Sequence, residues 1–116
     1  MALDRRPKWL FDAVMAVEAA QAFVVGLDLP GYEASLLVRS AVERQLEILG
    51  EAGVRLLRDD PTLTEQVPAL RLAIGLRNRI IHGYDTVDDE TVWRTVQDDL
   101  PALGTQLRAM LPQPPT

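Results

Sequence analysis

Within nine consecutive positions, Leu76-Arg77-Asn78-Arg79-Ile80-Ile81-His82-Gly83-Tyr84, the chain places its only histidine and one of its two tyrosines. The same stretch holds two of its twelve Lys and Arg residues. Arginine, asparagine and histidine in the absence of cysteine suit phosphodiester cleavage in RNA. The 2′-hydroxyl attacks the adjacent phosphorus once a base removes its proton and a cation stabilises the charge that develops. Histidine titrates near neutral pH and can serve as that base or as the acid. The planar fork of arginine binds phosphate oxygens bidentately. Arg77, His82 and Asn78 are therefore the candidate catalytic residues, with Asn78 orienting the imidazole or donating to phosphate. One histidine per chain implies a single proton-transfer group per site, or a dimer that brings two together.

Each of these residues also has a plainer role to weigh. On a regular helix Arg77 stands ~140° from His82, among Leu70, Ala73 and Ile81. A guanidinium in an apolar sector needs a carboxylate, a phosphate or an open cleft. Glu43, Glu47 and Glu51 of the preceding long helix are the carboxylates within reach, and Glu47 and Glu51 are candidate supporting residues. His82 at a helix C-terminus suits the negative end of the helix dipole. Arg79 reads as a solvated charge with a possible supporting role, and Tyr84 as a half-buried ring. Asp85, Asp88, Asp89 and Glu90 would suit Mg²⁺, but N-capping explains them more simply, and neither metal nor cofactor is expected.

The elements that hold this stretch are helical. Apolar residues make up 47% and charged residues 25% of the 116 positions, a soluble globular composition. Aromatics are only 5%, which favours helix packing over a β-sandwich. Leu10, Ala13, Val14, Val17, Ala20 and Val24 recur at spacings of three and four, predicting a first helix from Pro7 to about Gly26. Asp28-Leu29-Pro30-Gly31 reads as a turn. A second helix is expected from Glu33 to Leu57, with Val38, Val42, Leu46, Leu49, Ala52 and Leu56 on its apolar face. Gly50 and Gly53 inside it each cost about 1 kcal/mol against alanine, and are expected to admit a neighbouring helix closely. Asp59-Asp60-Pro61 ends it, and residues 62–68 read as a connector with at most one helical turn.

A third helix runs from Ala69 to His82, with Gly83 placed to close it in the left-handed conformation. The last begins after an Asp88 N-cap, with Val87 and Val92 as a hydrophobic staple. Val92, Val96, Leu100, Leu103, Leu107 and Met110 form its apolar face, and Pro101 should kink it because it removes a backbone donor. The sum is an all-α antiparallel bundle of four main helices with a short connector, one domain whose core spans about 7–111 and whose residues 112–116 fray.

Seventeen acidic against twelve basic residues give a net charge of −5 and a pI near 4.7, which disfavours a broad nucleic-acid coat. No cysteine means no disulfide, no thiolate nucleophile and no Cys-based metal site. No apolar run approaches the roughly 20 residues of a membrane span, and a cytoplasmic location is expected.

Arg77-Asn78-Arg79-Ile80-Ile81-His82 is an Arg-x4-His motif with a polar residue after the arginine, and His82-Gly83-Tyr84 extends it to Arg-x4-His-x-Tyr. This pattern resembles HEPN-domain proteins of the HepT-like toxin type. Gln45 to Ala52 and the stretch from Val92-Trp93 to Asp99-Leu100-Pro101 resemble the same family, so the likeness spans about Trp9 to Leu111. Gln45 stands where the commonest form of the family has asparagine. The resemblance implies a homodimer with its cleft at or near the interface, and a metal-independent endoribonuclease with Arg77 and His82 catalytic and Asn78 supporting. It further implies a toxin partnered by a minimal nucleotidyltransferase antitoxin, which transfers AMP to Tyr84. Two other readings keep the same fold: a non-catalytic nucleotide- or RNA-binding module, and a structural dimer that presents a surface to the nucleotidyltransferase.

Overall fold

The computed structural model of the chain describes residues 4–83 and 87–112, all helix and connection with no β-strand among them. Tyr84, Asp85 and residues 113–116, on which the modification site, part of the acidic cluster and the frayed tail were expected, lie outside the described residues.

Helix α1, Arg6–Phe23, carries Pro7 in its first turn, where a missing N–H leaves no helical bond unmade. It stops three residues short of the expected Gly26, which instead reverses the chain at φ +81°. That conformation suits a residue without a Cβ. Asp28 then accepts a hydrogen bond from the Gly31 amide at 2.9 Å and starts a six-residue helix, α2, Leu29–Ala34, where the sequence suggested only a turn. α2 carries Tyr32 fully into the core beside Trp93, ring centroids 5.5 Å apart. Burial, reinforced by the nearby carboxylates of Glu43 and Asp89 and opposed by Arg39, pushes the Tyr32 phenol well above its ordinary pKa.

The second long helix, α3, spans Leu36–Asp59 and not Glu33–Leu57. Ser35 is the reason: it adopts extended backbone and its hydroxyl accepts from the Val38 amide at 3.1 Å, so α2 and α3 cannot merge. After the short α4, Leu63–Gln66, comes α5, Ala69–His82. α5 packs chiefly on α3, and the two glycines of α3 set how closely. A Cβ on Gly50 would lie 2.3 Å from the Arg77 Cβ, and one on Gly53 would lie 3.2 Å from Ile74 Cγ1. The close approach expected of these glycines is present. Gly50→Ala should therefore destabilise the fold by about 1–3 kcal/mol in urea denaturation, despite the better helix propensity of alanine. An unchanged midpoint would show that α5 can back away from α3 at no cost.

At the end of α5, Gly83 has φ −149°, not the expected left-handed conformation. Its amide donates to the Arg79 carbonyl at 2.9 Å and the chain leaves in a conformation open to any residue. The last helix opens as read: Asp88 accepts from the Glu90 amide and the Thr91 hydroxyl, each at 3.1 Å, while Val92 is buried and Val87 packs against the core. It runs as α6, Asp89–Arg94, a π-helical turn, Thr95–Asp99, and α7, Leu100–Ala109. The expected disturbance at Pro101 takes this form. The Leu100 amide reaches the Thr95 carbonyl, and Pro101 falls in the first turn of α7, where it is tolerated. Gly104 lets α7 lie against α1 at Val17. The buried side chains of the four long helices form one continuous cluster; Met110, expected on the apolar face, is exposed.

Candidate active site

The period of α5 turns Leu70, Ala73, Leu76 and Ile80 into the core and leaves Asn78, Arg79 and His82 exposed. Arg77 lies between these two sectors. Its stem crosses Gly50, and its side chain is only 23% exposed. Of the three glutamates within reach, Glu51 is the partner: Arg77 Nη2 donates to its Oε2 at 2.9 Å. Glu51 also accepts from Arg55 Nε at 3.1 Å, one helical turn on, so it bridges two guanidinium groups. Glu43 is elsewhere, near Arg39 and Asp89. Burial raises its carboxyl pKa, as does the Asp89 charge, against the pull of Arg39.

The other arm of Arg77 reaches its own helix. Nη1 donates to Asn78 Oδ1 at 2.9 Å, so the guanidinium is tied to the exposed face of α5 as well as to α3. The described hydrogen bond of Asn78 thus runs to Arg77 and not to His82, the contact that their i,i+4 spacing made available. Arg77 Nε is buried without a protein partner. Two carboxylate and amide oxygens therefore fix the plane of the guanidinium, while N–H capacity remains for a phosphate.

Arg77 lines a groove of about 310 Å³ together with Trp9, Asp12, Arg44, Glu47 and Glu51. Arg44 pairs with Glu47 at 3.1 Å and Lys8 with Asp12 at 2.8 Å, so charges alternate around the rim. Arg55 and Lys8 sit 4.7 and 5.1 Å from the Trp9 ring. Trp9 escaped the sequence reading because its spacing marks it only as an edge of α1. The Arg44–Glu47 and Glu51–Arg55 spacings, by contrast, are legible as helical ion pairs. His82 stands in the last turn of α5 and is not part of the groove wall, while Arg79 lines a different groove, against α6. The chain thus assembles Arg77, Asn78, Glu51 and Glu47, and presents His82 on the adjoining face.

Comparison with known proteins bears on what this arrangement is for. The chain is 32% identical over 95 residues to "Probable ribonuclease HepT" of Thermococcus cleftensis, covering 82% of this chain and 86% of that one. It is 30% identical over 99 residues to "Putative RNase MJ1380" of Methanocaldococcus jannaschii, covering 85% and 90%. No solved structure matches it significantly. The Ribonuclease HepT-like family matches residues 15–110, which include α3, α5 and every residue of the Arg-x4-His motif, and the chain belongs to that family.

Proposed function

We propose that the chain is a metal-independent endoribonuclease, the toxin of a toxin–antitoxin pair. Its family and the ribonuclease names of its relatives support RNA as the substrate. The observation that carries the chemistry is the clamped Arg77, its fork held by Glu51 and by Asn78, the neighbour of His82 one helical turn earlier. Arg77 binds the scissile phosphate and offsets the charge that builds on its oxygens. His82 moves a proton: one leaves the 2′-hydroxyl as its oxygen bonds to phosphorus, and one reaches the 5′-oxygen as the P–O5′ bond breaks. The products are a 2′,3′-cyclic phosphate and a free 5′-hydroxyl. DNA, without the 2′-hydroxyl, is spared.

Arg77 opens onto the groove between α1 and α3, whereas His82 is exposed on the neighbouring sector of α5. A homodimer that brings the same segment of a second copy alongside would complete the site. Tyr84 is the proposed acceptor of AMP from a minimal nucleotidyltransferase antitoxin. The burial of Tyr32, the chain's other tyrosine, argues against that residue as the acceptor in the folded protein. AMP two residues from His82 would set bulk and negative charge where an RNA phosphate has to lie.

A non-catalytic RNA-binding module would hold the same Arg77–Glu51 pair, so turnover separates the readings. Purified protein should cleave total RNA in EDTA; co-expressed with the nucleotidyltransferase, it should gain AMP mass on the Tyr84 peptide and lose that cleavage. Absence of any cleavage by the unmodified protein would favour the binding module, and an unmodified Tyr84 would remove the proposed inhibition.

A further inference from the structure

In two ion pairs around the groove between α1, α3 and α5, the carboxylate is the less exposed member. Asp12 and Glu47 are 31% and 29% exposed at their side chains, whereas their partners Lys8 and Arg44 are 58% and 67% exposed. Lys8 takes Oδ2 of Asp12 and Arg44 takes Oε2 of Glu47, which leaves Oδ1 and Oε1 with acceptor capacity on the groove wall. Arg44 is the most solvent-exposed of the charges that line the groove. At Arg77 the order is reversed, the guanidinium being the less exposed partner of Glu51. The groove thus has a cationic end at Arg77 and carboxylate acceptors at Asp12 and Glu47, with Trp9, Ile48 and Ile81 as apolar wall.

We propose that this groove is the base-binding subsite of the nuclease and takes an unpaired guanine, in the nucleotide whose phosphate lies on Arg77. The inference rests on the ribonuclease reading above and adds the base that the site selects. Three observations point to that occupant. Arg77, the proposed phosphate ligand, lines the groove, and so does Ile81, the neighbour of His82 in the chain, so a base held there is continuous with the reacting phosphate. Trp9, Ile48 and Ile81 offer apolar contact to the faces of a base, in a volume of about 310 Å³, at the lower end of the roughly 300–1,000 Å³ of small-molecule sites. Asp12 and Glu47 add acceptors, and unpaired RNA bases are read through their Watson–Crick edges. Guanine presents two adjacent donors on that edge, N1–H and N2–H, the complement of carboxylate oxygens. Uracil would turn two carbonyl oxygens toward the same acids, and adenine and cytosine offer one amino group beside a bare ring nitrogen.

A second phosphate fits less well, because Asp12 and Glu47 would repel it. A basic side chain of a protein partner would suit the two acids, but would leave the Arg77 end of the groove without an anion.

The test sequences the ends of fragments that the full chain cuts from total RNA, where guanosine should recur at one fixed position beside the cut. A transcript of the best-cut site should be cleaved about tenfold more slowly with uridine in place of that guanosine, the usual worth of a paired base-edge contact. Inosine, which lacks the 2-amino donor, should slow it several-fold. The double variant Asp12→Asn, Glu47→Gln keeps the side-chain shapes without the paired oxygens, and should bring the guanosine-to-uridine ratio of kcat/KM close to one. A loosened fold would lower both substrates alike and leave that ratio in place. Trp9→Ala should raise KM about tenfold and Trp9→Phe should recover most of it, as loss and return of a stacking ring do. Cut sites without a guanosine bias, or a bias that survives the double variant, would overturn the subsite and leave the ribonuclease reading standing. No cleavage of any RNA would overturn that reading and the subsite with it. A double variant that keeps the base bias but no longer binds the co-expressed nucleotidyltransferase would overturn the base site and make the groove a protein-docking surface.

Discussion

His82→Ala is expected to lower the rate of RNA cleavage by about 10²–10⁴-fold, the usual worth of a positioned proton-transfer group. The variant should remain folded, because His82 is exposed in the last turn of α5 and is not one of the buried core residues. Its melting temperature should stay close to that of the parent, so lost activity would report chemistry and not unfolding. Mixing inactive His82→Ala with inactive Arg77→Ala protein sharpens the result. If the site combines Arg77 of one protomer with His82 of its partner, mixed dimers regain one intact site and part of the activity. Undiminished cleavage by His82→Ala alone would remove the histidine from the mechanism.

Arg77→Ala should lower cleavage by about 10²–10³-fold, as loss of a donor to a developing oxyanion does. The structural consequence is contained. Glu51 keeps Arg55, and the Arg77–Glu51 pair, at 23% and 44% side-chain exposure, contributes no more than about 1 kcal/mol. Arg77→Lys should not restore the rate, because an ammonium cannot bond Glu51, Asn78 and a phosphate in one plane. Folded Arg77→Ala protein that cleaves at the parental rate would leave Arg77 as an interhelical strut.

Much of the fold was legible because its causes are local or periodic. The three-and-four spacing of leucine, valine and alanine marks the four long helices, and Asp88 announces the start of the last one by its own capping chemistry. Gly50 and Gly53 were readable as a close helix crossing, since few other reasons put two glycines three apart on a buried face. The Arg-x4-His-x-Tyr stretch carried the resemblance to the family to which the chain belongs, and it supplied the residues proposed for the site.

Other features depended on neighbours distant in the chain. Ser35 caps α3 where a continuous helix was equally compatible with the apolar pattern, and the burial of Tyr32 supplies the reason for the break. Gly83 carries the residue type of a left-handed cap without its backbone, its φ being −149°. The disturbance before Pro101 was predictable, but its resolution as a π turn was not, because either form frees the backbone groups that proline cannot bond.

Arg77 shows the division most clearly. A helical wheel determines the direction of its Cβ, and on that basis sets it apart from Asn78 and His82. Where a guanidinium on a long, freely rotating stem finally rests is a matter of which oxygens wait around it. Glu51 lies 26 positions away and Gly50 clears its route, so only the packing of α5 on α3 could bring Arg77, Glu51 and Asn78 into one clamp. The sequence by itself singled out the residues proposed to carry the chemistry; the tertiary structure decided which of them hold one another.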